Sequence, residues 1–312
     1  MIQTQATHPK VAGHGAAAGG NFATLDRNLA RLVAAGCTHA ELSATALFVT
    51  IAGQDNAPRV AALAEICARH ALRYSVHAPI AINLMDETHL DLHRAVLASS
   101  LRFAARIGAR AVVIHPGRVH PQADLAARTR LLSVERDAVL RAADQAGAGG
   151  QMIAMENLNP NRNMMAGTMT SYALDPRALA DQIAAIAHPA VCGTLDFGHG
   201  WLAAGRLGFD YAAAIRAFAP VVGHLHVTDN CGVPITYVDA TDEEHVAYGM
   251  GDLHLPIGWG SVPYDTLLAD LPIRPGCAAI LELASRHETE LESTLARVAG
   301  LAARLNATSP QG

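Results

Sequence analysis

The chain has 312 residues, 51% hydrophobic and only 16% charged, with a formal net charge of −5. That balance argues for a globular protein with much buried alanine-rich helix rather than a disordered one, and gives no general electrostatic reason to hold nucleic acid, so it leans toward a small substrate. Five cysteines, Cys37, Cys67, Cys192, Cys231 and Cys277, are widely spaced with no CxxC pair, which fits a reducing compartment better than a disulfide scaffold. The opening MIQTQATHPK lacks the apolar core of a signal peptide and no apolar run approaches membrane-spanning length. The expectation is a soluble, cytoplasmic protein.

Short apolar, β-branched runs alternate with longer alanine- and leucine-rich segments. In chain order the predicted pairs are strand 10–15 with helix 24–35, strand 39–44 with helix 57–71, strand 73–79 with helix 88–107, and strand 111–117 with helix 125–146. Strand 152–157 with helix 175–187, strand 192–200 with helix 210–218, strand 222–229 with helix 262–270, and strand 278–284 with helix 287–304 complete the series. The stretch TLDRNLARLVAAG shows the helical period, with a threonine cap and a glycine stop. Eight alternations read as an α/β protein, a single (β/α)8 TIM barrel over residues 1–312. A doubly wound open sheet would alternate in the same way, but no glycine fingerprint for a phosphate follows the first strand. Residues 230–261 are read as a long loop over the C-terminal mouth, its glycines as hinges.

Strands of a parallel barrel are covered on both faces and should be almost wholly apolar. Here nearly every predicted strand ends in a residue that can bind a metal: His77, His115, Glu156, Asp196 with His199, His224 and His226, and Glu282. These are the ends at which barrel enzymes build their sites. A lone histidine or glutamate at a strand end is usually a hydrogen-bonded core or loop residue, but such residues at the same end of successive strands are not independent accidents. His224 and His226 share a strand face, so one can ligate while the other lies deeper. Mixed carboxylate and imidazole donors suit zinc, manganese or iron without choosing among them. His14 at the end of the first strand, Asn157 and His224 are candidate substrate contacts. Glu41 is read as a barrel-end hydrogen-bonding residue, and His70, His89, His93, His120, His188, His245 and His287 as solvated or structural.

These residues lie in stretches that resemble the xylose-isomerase-like barrel superfamily, which includes sugar isomerases and epimerases and the endonuclease-four family of nucleases. The likeness is carried by VHAPIAINL, VIHPG, MEN, LDFGHG, HLHVTDN, GDLHLPIGWG and LEL. In the epimerase branch the resemblance implies one metal held by Glu156, Asp196, His226 and Glu282, with the two glutamates exchanging the substrate proton and His199 touching the sugar. In the nuclease branch it implies more metals: His77, His115 and a bridging Glu156 for the first, the quartet for the second, and His199, Asp252 and His254 for the third. Because the extra positions are all filled, two or three divalent ions and metal-assisted hydrolysis of a phosphoester form the leading expectation. Few aromatics and no basic loops turn that expectation toward a small phosphodiester rather than DNA. The alternative is a sugar or sugar-phosphate isomerase or epimerase with Glu156 and Glu282 as acid and base. The expected partner is a small-molecule substrate, with homo-oligomerisation open and neither nucleic acid nor membrane expected.

Overall fold

Alternate residues of a barrel strand face the interior and the surrounding helices, and the buried side chains of this chain sort in that way. The computed structural model describes residues 10–14, 20–237, 240–268, 271–274 and 276–308. Its strands are β1 (Lys10–His14), β2 (His39–Ser43), β3 (Thr50–Ile51), β4 (Gln54–Asp55), β5 (Arg73–His77), β6 (Ala111–Ile114), β7 (Met152–Glu156), β8 (Val191–Asp196), β9 (Val222–Val227) and β10 (Ala278–Leu281). Eight of them close a barrel in the order β1-β10-β9-β8-β7-β6-β5-β2, every pairing parallel. The other two, β3 and β4, form a small antiparallel hairpin after β2 that the sequence pattern does not announce.

The helices are α1 (Phe22–Ala34), α2 (Ala57–Ala68), α3 (Leu90–Arg106), α4 (Leu125–Ala148), α5 (Arg162–Met165), α6 (Pro176–Ile186), α7 (Phe197–Leu207), α8 (Tyr211–Phe218), α9 (Asp242–Tyr248), α10 (Tyr264–Leu267) and α11 (Leu291–Thr308). In α1 the buried Leu25, Leu29 and Leu32 fall at helical spacing on one face. Its cap is Asn21, whose side chain accepts from the Thr24 amide, three residues before the threonine that the pattern suggests.

Leu29 of this stripe shares one large apolar cluster with the outward residues Leu42, Val76, Ile153, Leu195 and Leu225 of the strands. The intervening Val113, Ala154 and Cys192 form a separate small cluster with Met152 inside the barrel. Beyond that plug the interior positions turn polar: Glu41, Ser75, Thr194 and His224, then Glu156, Asp196 and His226, all buried.

Three expectations are corrected. The predicted strand 192–200, the sixth of the eight, stops being a strand at Asp196: the FGHG that follows is the first turn of α7, because the Asp196 side chain caps it by accepting from the His199 amide at 2.7 Å. The loop 230–261 contains α9, which carries a capping box of Thr241 and Glu244 and ends at Gly249 in the left-handed conformation, φ 64°. Of the predicted helix 262–270, the described residues 262–268 are α-helical only over the four residues of α10.

The glycines of the loop fix a path rather than act as hinges. Asp229, at the end of β9, accepts from the amides of Gly258 at 2.7 Å, Gly260 at 3.1 Å and Val262 at 3.1 Å. A side chain at Gly260 would meet the Asn230 carbonyl oxygen at 2.3 Å, so the segment packs this closely only with glycine there. Among the described residues no helix is long and apolar enough to cross a membrane, and no disulfide joins Cys37, Cys67, Cys192, Cys231 or Cys277.

Candidate metal centre

Parallel registry brings the strand ends level. His77 is the last residue of β5, His115 follows β6, Glu156 ends β7, Asp196 ends β8, His226 is the penultimate residue of β9 and Glu282 follows β10. Asp196 is paired directly with His226 across the β8–β9 ladder.

Glu156 stands at the middle of this ring. Its Oε2 lies 3.1 Å from His115 Nε2 and 3.3 Å from His77 Nε2, while its Oε1 lies 2.8 Å from His226 Nδ1 and 3.5 Å from His199 Nδ1. The same His226 Nδ1 is 3.3 Å from Glu282 Oε1 and 4.0 Å from Asp196 Oδ2. Two sets of donors expected from the sequence, His77 with His115 and Glu156, and Glu156 with Asp196, His226 and Glu282, each gather within 4.8 Å.

The third expected set is arranged differently. Asp252 Oδ2 lies 3.1 Å from His199 Nε2 and 2.9 Å from His254 Nε2, so one carboxylate oxygen ties the loop to α7. Among the described residues this trio is not one of the sets whose donors all converge within 4.8 Å. His254 holds a left-handed backbone, φ 46°, a conformation that costs a non-glycine residue about 1–2 kcal/mol. It is held in place by its Asp252 contact and by its Nδ1, 3.2 Å from the Glu282 carbonyl oxygen.

The electrostatics are those of carboxylates and imidazoles crowded away from water. Burial raises the Glu156 carboxyl, but His226, His115 and His77 outweigh it and hold it well below the ordinary range. Burial pushes Asp196 up to about 7, His199 opposing this and the charges of Glu282, Glu156 and Asp252 adding to it. Burial also disfavours the charged imidazoles, yet Glu156 lifts His77 to about 9 and Asp252 lifts His254 to about 10. His115, contacting the same Glu156 oxygen as His77, is lowered because burial prevails there. Asp196 Oδ2 and Asp252 Oδ1 are buried without a hydrogen-bond partner. Orphaned carboxylate oxygens beside converging imidazoles are what a divalent cation would satisfy, so the residues fit a metal.

Other expected contacts are placed elsewhere. Asn157 is fully buried and its amide spans the Asp196 backbone, accepting from its N–H and donating to its carbonyl, both at 2.9 Å. It therefore braces the β8–α7 junction instead of facing a substrate. His224 lies one interior layer below the mouth, 2% exposed, with Nε2 2.9 Å from Glu41 Oε2, and is not placed to touch a substrate. His14 ends β1, opposite Glu41 in the ladder; its side chain lies outside the described residues. His70 pairs with Asp26, His89 with Asp86, and the His188 ring accepts from the Ala190 amide, consistent with structural roles.

Glu41 is the residue underestimated from the sequence. Its Oε1 is 2.9 Å from His226 Nε2, and its Oε2 accepts from Ser75 Oγ at 2.7 Å. It thus stands behind His226, whose other nitrogen faces the quartet, as a buried carboxylate in ion-pair contact with an imidazole placed to bind a metal. The signal was available: Ala40 and Leu42 are apolar neighbours facing the helices, so Glu41 between them must face the barrel interior. Glu41→Gln is expected to weaken metal binding about 10–100-fold while the fold persists, measured by competition with a chromogenic chelator. Unchanged affinity would remove this role.

Beside the mouth, the loops after β5, β6 and β7 border an open cleft of about 580 Å3 lined by Asn83, His93, Arg118, Asn161 and Asn163 among others. Asn83 locks two of these loops, donating to the Arg118 carbonyl and accepting from the Arg118 amide, both at 3.0 Å.

A family model described as xylose isomerase-like TIM barrel matches residues 29–302. Comparison with curated protein sequences gives no match. Among solved structures, a D-tagatose 3-epimerase-like protein is similar at TM-score 0.69 and 16% identity, with 96% of this chain and 98% of that chain covered. The 3-keto-D-glucoside 4-epimerase YcjR from E. coli is similar at 0.64 and 13%, covering 93% and 98%. The IolI protein with a bound zinc atom is similar at 0.66 and 14%, covering 97% and 100%. At these identities the likeness is one of fold.

Proposed function

The chain belongs to the xylose isomerase-like TIM barrel family, and from that premise we propose that it is a metal-dependent sugar isomerase or epimerase that moves a proton beside a carbonyl. The observation that carries this reading is the quartet: Glu156, Asp196, His226 and Glu282 converge within 4.8 Å at the mouth, and the two glutamates share contact with one nitrogen of His226. Sugar epimerases among the similar folds, and the zinc in the IolI structure, support the same reading. It replaces phosphoester hydrolysis, the leading expectation from the sequence.

A divalent ion held by the quartet would polarise the substrate carbonyl and so acidify the hydrogen on the adjacent carbon. Glu156 and Glu282 would then serve as the base that takes this proton and the acid that returns one, each a carboxylate fixed by neighbours. Burial keeps bulk water from competing for the proton. Histidines at 3.1 to 3.3 Å restrain Glu156 through its Oε2. The cavity lined by Arg118 and the asparagines offers polar groups for the rest of a polyhydroxylated substrate.

Phosphoester hydrolysis retains one specific observation: the two oxygens of Glu156 face different imidazole pairs, the arrangement of a carboxylate bridging two metals. One experiment separates the readings. A panel of five- and six-carbon ketoses and their terminal phosphates is incubated with metal-loaded enzyme in deuterium oxide, in parallel with bis-(p-nitrophenyl) phosphate. Deuterium at the carbon beside the carbonyl, without release of p-nitrophenol, is the expected result. Phosphodiester cleavage with no exchange into any ketose would overturn the proposal.

A further inference from the structure

The opposite end of the barrel holds a cavity that the reaction at the mouth does not use. It has a volume of about 280 Å3 and is walled by residues at the beginnings of the strands. His39 opens β2, Arg73 opens β5, Arg110 immediately precedes β6, and Arg274 lies just before β10. Ser75 and His224, 5% and 2% exposed, line it from within the barrel.

Arg73, Arg110 and Arg274, all exposed, therefore border one partly open space, and its described lining contains no aspartate or glutamate. Elsewhere on this surface arginines come with carboxylates, as in Arg69 with Asp26, Arg102 with Asp55 and Arg177 with Asp175. Glu41, behind the inner wall, is already engaged by Ser75, His224 and His226, so the three arginine charges repel one another with no carboxylate of the described lining between them. An anion placed among them would reverse the sign of that term. Guanidinium groups offer paired N–H donors at the spacing of phosphate oxygens, and Arg274 is steadied by its Nε donating to the Pro220 carbonyl at 3.2 Å. Gly223 and Gly276 contribute no side chain to the wall, which leaves room for a phosphate-sized group.

We infer that the floor of the barrel, between Arg73, Arg110 and Arg274, is a binding site for a small phosphate-bearing anion. This site is separate from the metal centre and does not depend on which reaction that centre performs. Titration calorimetry of the metal-loaded protein with inorganic phosphate at constant ionic strength tests it. One equivalent per chain is expected, with affinity falling as salt rises. The Arg73→Ala/Arg110→Ala pair should weaken binding at least about tenfold, and the Arg73→Lys/Arg110→Lys pair should recover part of it. Arg102→Gln, which removes a paired surface arginine, should leave it unchanged. Phosphate binding that survives in both paired variants at wild-type strength would place the anion elsewhere, and absence of binding to the wild type at millimolar phosphate would equally overturn the inference.

Discussion

Glu282→Gln is expected to lower the interconversion of two ketose epimers by about 10²–10⁴-fold, the range that a positioned acid or base contributes, and Glu156→Gln by a similar factor. The sharper expectation concerns isotope exchange. If the two carboxylates serve opposite faces of the reacting carbon, removing one leaves the other able to take and return a proton on its own face. Each variant should then wash solvent deuterium into one epimer without converting it to the other, and the two variants should choose opposite epimers. Metal content must be measured alongside, because both glutamates belong to the converging quartet. Equal loss of exchange into both epimers in metal-replete variants would assign the two residues to metal holding alone.

The second large effect is the coupling of metal uptake to protons. In the protein stripped of metal, Glu156 lifts His77 to about 9 and Asp252 lifts His254 to about 10, so at neutral pH these two carry protons, and Glu282, Glu156 and Glu41 raise His226 in the same direction. An imidazole must lose its proton before it can ligate. Metal binding should therefore release about one to two protons per ion, and affinity should rise by roughly ten- to a hundredfold for each pH unit between 6.5 and 8.5. Calorimetry in buffers of different ionisation enthalpy counts the protons, and a pH-independent affinity would refute the coupling. The sign for stability runs the other way. Histidines raised in the folded state stabilise the metal-free protein below about pH 6.5, and that contribution is lost as pH rises through their folded values of about 9 and 10. The thermal transition of the stripped protein should accordingly fall over that alkaline range, while added metal restores it.

The arrangement of strands was readable because each barrel strand is a local apolar run and each of its ends is marked by a polar residue in the wrong place for a core. His77, His115, Glu156, Asp196, His226 and Glu282 were all found by that reasoning, and parallel registry brings them level. The FGHG segment was misread because its glycines lack helical character, whereas a single capping hydrogen bond, donated by the His199 amide to Asp196, starts the helix. Asn157 was misread for a related reason: an asparagine beside a ligand looks like a substrate contact until its amide is seen spanning the Asp196 backbone.

By itself the sequence determined the alternation of strands and helices, the barrel that alternation builds, and the donors at the strand ends, since hydrophobic period and residue type are local properties of the chain. Only the tertiary structure decided depth and pairing. It set His224 a layer beneath the mouth, put Glu41 behind His226, tied Asp252 to His199 across 53 residues, and brought three distant arginines to the border of one cavity. Those relations follow from strand registry and closure of the barrel, which fix distances between residues far apart in the chain, and no local pattern encodes them.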